Sequence, residues 1–126
     1  MVIMSYSIPQ ALYLIPNDLK RSTIRQRSED KERAIEKTGI INNYWRHRQS
    51  DQRHLGNRDL RKLTVINDPI IEYIKNCPPE MIYCEGFGFQ REDLELFLVD
   101  NYDIEKLLKE GQFYMTEWWP RSRSED

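Results

Sequence analysis

The feature that most constrains this chain is one stretch, Asp68 to Leu108, which holds most of the residues able to build a core. Ile70, Ile71, Tyr73, Ile74, Met81 and Ile82 fall there, followed by Tyr83, Phe87, Phe89, Leu94, Leu96 and Phe97, and then by Leu98, Val99, Ile104, Leu107 and Leu108. The stretch is acidic, and what precedes it is basic. Met1 to Ile66 carries thirteen Lys and Arg against seven Asp and Glu, a balance of +6. Asn67 to Asp126 carries six against fourteen, a balance of −8. The overall charge of −2 therefore hides a dipole. Such asymmetry marks a nucleic-acid site, a partner site or head-to-tail self-association, or else two halves that face each other inside the fold.

A length of 126 residues allows a single core. Charged residues make up 32%, above the typical value of about 25%, so part of the chain is expected as exposed helix or arm. Aromatic residues at 11% exclude a wholly disordered chain. No apolar run approaches the length of a membrane span, and no membrane partner is expected. The opening residues lack the basic flank of a signal peptide. Two cysteines fit a reducing compartment, so the expected location is cytoplasmic.

Read in order, Val2–Ile8 and Ala11–Ile15 are expected as short strands or an extended arm, closed by the turn residues Pro16, Asn17 and Asp18. Residues 17–27 are basic and read as an arm. Ser28 is the better helix start, with its hydroxyl as cap, Glu29 and Asp30 in the first turn and Gly39 closing the far end. Ile40–Leu55 begins with helical spacing, Ile41 and Trp45 sharing a face. Leu63–Ile66 suits a buried strand. Asp68-Pro69 is a strong helix start, and Pro78-Pro79 stops that helix. Glu80–Glu85 reads as a short buried strand, and Gly86-Phe87-Gly88-Phe89 as a loop anchored by its aromatics. Arg91–Asp100 and Asp103–Glu110 read as two helices, and Gln112–Trp119 as the last strand.

The expected fold is a single small α+β domain over residues 1–119, followed by a mobile polar tail at 120–126. Four to five short helices surround a small sheet built from the N-terminal arm, Leu63–Ile66, Glu80–Glu85 and Gln112–Trp119. The alternative is a mainly α fold with extended arms.

The best binding candidate is Tyr44, Trp45, Arg46 and Arg48, with Arg53 and the C-terminal Trp119. Trp and Arg are enriched at interface hot spots, and aromatics among cations can also stack on bases. Lys20, Arg21, Arg25 and Arg27 are candidate phosphate contacts. The bland alternative makes Tyr44 and Trp45 core residues and the arginines a solvated face. His47 and His54 lie seven apart, as do Cys77 and Cys84. Ligands seven apart on one helix are separated by about 10.5 Å, too far for one ion, so no metal is expected. Neither cysteine sits in a nucleophile motif, Gly86-x-Gly88 is half of a dinucleotide fingerprint, and no catalytic residue or cofactor is assigned.

The sequence thus points to a non-enzymatic interaction or regulatory protein that binds a protein partner through its basic, Trp-containing N-terminal half. Homo-oligomerisation of basic against acidic halves could be part of this. One alternative is nucleic-acid binding by the same face. Another is an acidic face, Glu92, Asp93, Glu95, Asp100, Asp103 and Glu105, that competes for a basic groove on another protein.

Overall fold

One long strand decides the architecture. In the computed structural model, which describes residues 2–86 and 90–121, β4 (Arg53–Ile66) is fourteen residues long and serves two partners. Its first half pairs antiparallel with β3 (Ile40–Trp45), and its second half pairs antiparallel with β5 (Phe113–Trp118). Beyond them, β1 (Ile3–Tyr6) adds in parallel to β3, and β2 (Ser22–Gln26) adds antiparallel to β5. The result is a five-stranded mixed sheet in the order β1-β3-β4-β5-β2.

The helices are α1 (Ala11–Leu14), α2 (Glu29–Thr38), α3 (Ile70–Asn76), α4 (Pro79–Cys84), α5 (Arg91–Asn101) and α6 (Ile104–Leu108). The expected small sheet with four to five helices is therefore overturned, and so is the mainly α alternative. Ala11–Leu14 is a helix, whereas Ile40–Trp45 is a strand: its spacing imitated a helix because Ile41 and Trp45, four apart, share a face in a strand as well as in a helix. Glu80–Glu85 is not a strand. Pro79 occupies the first turn of α4, where its missing amide hydrogen is harmless. Residues 17–27 form no projecting arm, since β2 lies within them.

Other local readings hold. The Ser28 hydroxyl accepts from the Lys31 amide, and Gly39 ends α2 in the left-handed conformation at φ 66°. The helix expected from Asp68-Pro69 forms, but its cap position is Pro69, with no side-chain bond, and not the Asp68 carboxylate. The expectations for Phe87 and Phe89, and for residues 122–126 of the tail, lie outside the described residues.

Alternation along the strands divides the core in two. Ile24, Ile66, Phe113 and Met115 meet Ile70, Ile74, Leu94, Leu98 and Leu107 under α3, α5 and α6. On the other face Met4, Tyr6, Ile41, Leu55, Tyr114 and Trp118 meet Ala11 and Ile15 near α1 and Ile35 of α2. The sheet curls toward this second face. Tyr6 on one edge strand and Arg25 on the other edge strand come into contact across the opening, with the guanidinium carbon 5.0 Å from the Tyr6 ring centre.

Candidate functional site

The curl brings the two sheet edges together without joining them. No ladder links β1 to β2. Instead Arg25 donates from Nη2 to the Ser5 carbonyl at 2.8 Å and from Nε to Thr23 Oγ1 at 3.3 Å. Tyr6 donates its hydroxyl to Asn43 Oδ1 at 2.8 Å. Burial pushes the Tyr6 phenol well above its usual range, against the opposing pull of Arg25.

Beside this seam lies a buried ion pair. Lys20 is 2% exposed and Glu85 4%. The Lys20 ammonium donates to the Ser22 and Glu85 carbonyls, both at 2.7 Å, and stands 3.5 Å from Glu85 Oε2. Ser22 Oγ donates to Glu85 Oε1 at 2.6 Å. Desolvation lowers the Lys20 pKa, the Glu85 charge opposes that shift, and Arg25 adds to it. The pair is the one ion pair between the basic and acidic halves of the chain among the described residues. All three donors of the ammonium are occupied, which makes it a clamp between the loop after α1 and the end of α4.

A cavity of about 150 Å³ opens against the seam. Tyr6, Lys20, Thr23, Arg25 and Glu85 give it a polar wall. Ile8, Ile24, Leu94, Phe97 and Leu98 give it an apolar one. It lies where the two halves of the core approach each other, since Tyr6 belongs to one and Ile24, Leu94 and Leu98 to the other.

The second candidate is the tip between β3 and β4. Arg46 and Arg48 both have left-handed backbone, at φ 45° and 69°. The tip is fixed to β1: the Arg46 amide donates to the Tyr6 carbonyl at 2.9 Å and the His47 amide to Ser5 Oγ at 3.0 Å. The Tyr44 ring packs between His47 and His54, at 5.2 and 4.9 Å between centroids. Arg46 pairs with Asp51 at 3.4 Å, with both side chains about half exposed. Arg48 and Arg53 are exposed and have no carboxylate partner among the described residues.

The residues singled out in the sequence thus part company. Tyr44, Trp45, Arg46, Arg48 and Arg53 share the hairpin end, with Trp45 half-buried against the core. Trp119 does not join them. It stacks on Arg61 at 5.0 Å, eight residues along β4 from Arg53, a separation of about 26 Å. Trp118, its neighbour, is 1% exposed. Lys20 is buried in the clamp. Arg21 contacts Cys84 Sγ at 3.5 Å, Arg25 spans the seam, and Arg27 pairs with Glu32 at 3.0 Å. Of these four, Arg25 alone lines the cavity without a carboxylate partner among the described residues. Sequence reasoning missed Tyr6, Thr23, Asn43 and Glu85, since no spacing rule relates β1, β2 and the end of α4 before the sheet closes.

No group of three His, Cys, Asp or Glu side chains that could hold a metal occurs among the described residues. Cys77 is buried, and burial pushes its thiol up, against a reactive role. No helix among the described residues is long and apolar enough to cross a membrane. Comparison with family models, with curated proteins and with solved structures finds no match.

Proposed function

We propose that this protein is a non-catalytic interaction module that docks an acidic segment of a protein partner on the β3–β4 tip. The observation that carries this reading is the left-handed backbone of Arg46 and Arg48 in one short loop. Such a conformation costs about 1–2 kcal/mol for a residue with a side chain. Glycine would avoid the cost, and strain of this kind gathers at binding sites. Here it presents Arg48, which has no carboxylate partner among the described residues, and the exposed Arg46, which shares its charge with Asp51, beside the half-buried Tyr44 and Trp45, on a loop pinned to β1. Arginine with Tyr or Trp is the composition of an interface anchor.

An acidic protein segment suits this surface better than nucleic acid. Phosphate binding draws on many free cations, and Lys20, Arg27 and Arg58 are already paired within the fold. The test is titration of Trp fluorescence with an acidic peptide and with a single-stranded oligonucleotide of equal length, across a salt series. Preferential peptide binding, reduced about tenfold or more in R48E/R53E at unchanged circular dichroism, is expected. Tighter oligonucleotide binding with a steep salt slope would replace this reading, and no binding to either would end it.

A specific observation favours self-association as a second reading. The outer face of α5 exposes Leu96 and Val99, at 60% and 51%, beside Glu92, Asp93 and Asp100. On α6, Ile104 and Leu108 are exposed at i, i+4 beside Asp103 and Glu105. An apolar surface rimmed by acids is a fitting complement to the basic tip of a second copy. Such a contact is head-to-tail and open-ended, so sedimentation should show species that grow with concentration at low salt. A monomer at all concentrations and at low salt would exclude it.

A further inference from the structure

We propose that the cavity at the β1–β2 seam is a binding site for a small organic carboxylate with an apolar body, its carboxylate on Arg25 and its body against Ile24, Leu94 and Leu98. This is independent of the hairpin reading and uses different residues.

The argument starts from charge. Three ionised side chains line the cavity: Lys20, Glu85 and Arg25. Lys20 and Glu85 neutralise each other at 3.5 Å and are further satisfied by Ser22. That leaves the positive charge of Arg25, half-buried and met, among the described residues, by a carbonyl, a hydroxyl and the face of Tyr6 but by no carboxylate. A guanidinium has five N–H donors in a planar fork, and the contacts to Ser5 and Thr23 leave donors free for the bidentate grip that suits a carboxylate. Neighbouring cations sense the surplus: Arg25 contributes to lowering both Lys20 and Lys31, in each case after desolvation. A half-buried, uncompensated cation beside a void is improved by an anion.

Size and wall chemistry narrow the ligand. A void of about 150 Å³ holds one benzene-sized group. The wall opposite Arg25 is built from Ile8, Ile24, Leu94, Phe97 and Leu98 and offers an apolar body its contact. A bare inorganic anion would leave that wall unused, and a neutral hydrocarbon would leave Arg25 unmet. A ring or short chain bearing one carboxylate satisfies both.

Benzoate and hexanoate are the probes, with benzamide and hexanamide as uncharged counterparts of equal shape. Binding is followed by amide chemical shifts on the full chain and by calorimetry. Saturable binding of a carboxylate is expected, with shifts concentrated at Thr23, Ile24, Arg25 and Leu98 and with the amide at least about tenfold weaker. R25Q should lose about tenfold or more in affinity, whereas R25K should retain part of it. Equal binding of acid and amide, no saturation by about 10 mM, or undiminished affinity in R25Q would overturn the site. Shifts at Arg48 and Arg53 instead of Thr23 and Ile24 would also overturn it, since they would place the anion on a surface cation. If R25Q fails to fold, the acid–amide comparison and R25K decide the matter by themselves.

Discussion

The two faces of the sheet are built on different principles. Under α3, α5 and α6 the packing is apolar, mostly aliphatic and aromatic: Ile66, Ile70, Ile74, Leu94, Leu98, Leu107 and Phe113, with Cys77 and Met115. The concave face mixes Met4, Ile41 and Trp118 with buried Thr23, Asn43, Arg58 and Thr116. Some of its polar atoms have no hydrogen-bond partner among the described residues: Asn43 Nδ2, Thr116 Oγ1 and Trp118 Nε1. Each such atom costs about 1–3 kcal/mol if it stays dry. The contrast teaches where constraint is placed. The dry face supplies cohesion that almost any well-shaped apolar set could supply. The polar seam limits how far the sheet may curl, because Arg25 reaches the Ser5 carbonyl across it and Lys20 meets Glu85 beside it.

The sharpest way to break this contrast is Lys20→Met. Removing one partner of a buried, hydrogen-bonded pair strands the other, at a cost of about 3–5 kcal/mol. Glu85 would be left 4% exposed with Ser22 as its one side-chain donor among the described residues. Urea unfolding should show that loss, and the double change Lys20→Met with Glu85→Gln should return a good part of it. If the double variant is no better than the single one, Lys20 matters for its volume and not for its charge. Ile74→Ala, on the dry face, should cost about 2–5 kcal/mol as a cavity, with no partner change able to recover it.

The same division explains what could be read in advance. Periodicity and capping depend on neighbours in sequence, so α2, bounded by Ser28 and Gly39, was legible, as were the inward leucines of α5. The concave face depends on neighbours in space. Ile40–Trp45 buries Asn42 and Asn43, so it lacks the apolar alternation that announces a strand. Thirty-seven residues separate Tyr6 from Asn43, and sixty-five separate Lys20 from Glu85. The charge dipole is a difference between halves, and among the described residues one buried ion pair, Lys20–Glu85, links them. Of the candidate residues, Tyr44–Arg48 and Arg53 stay together because they are close in sequence and the β3–β4 pairing brings Trp45 opposite Arg53. Arg25 was noticed as a cation and misassigned to an arm.

Alkaline pH compares the faces more gently. Burial raises Tyr114, on the concave face, and Tyr73, against the dry one, from 10 to about 12. Their contribution to stability is complete below pH 10 and is lost as pH climbs from 10 toward 12, because the unfolded chain gives up these protons first. Lys20 acts in the opposite sense. Its folded pKa is lowered, so just below 10.5 the unfolded chain holds more protons and this contribution rises with pH. Tyr114→Phe should flatten the alkaline fall in denaturation midpoints, and Lys20→Met should steepen it. A decline that begins well below pH 10 in the unaltered protein would contradict both assignments.

The smallest expected effect bears on the tip. Arg48→Gly places in the left-handed region a residue with no side chain to clash there. The relief is about 1 kcal/mol, reduced by the extra freedom glycine gives the unfolded chain, so a gain of a few tenths to about 1 kcal/mol should remain. Little else is lost from the fold, since the Arg48 amide, which donates to Gln52 Oε1 at 2.8 Å, survives the change. A protein kept only for cohesion has no reason to hold arginine at such a position. Greater stability together with weaker binding of acidic peptide would mean that the strain is retained for the side chain it aims. Greater stability with unaltered binding would separate the strain from docking and shift attention to Arg53 and Trp45.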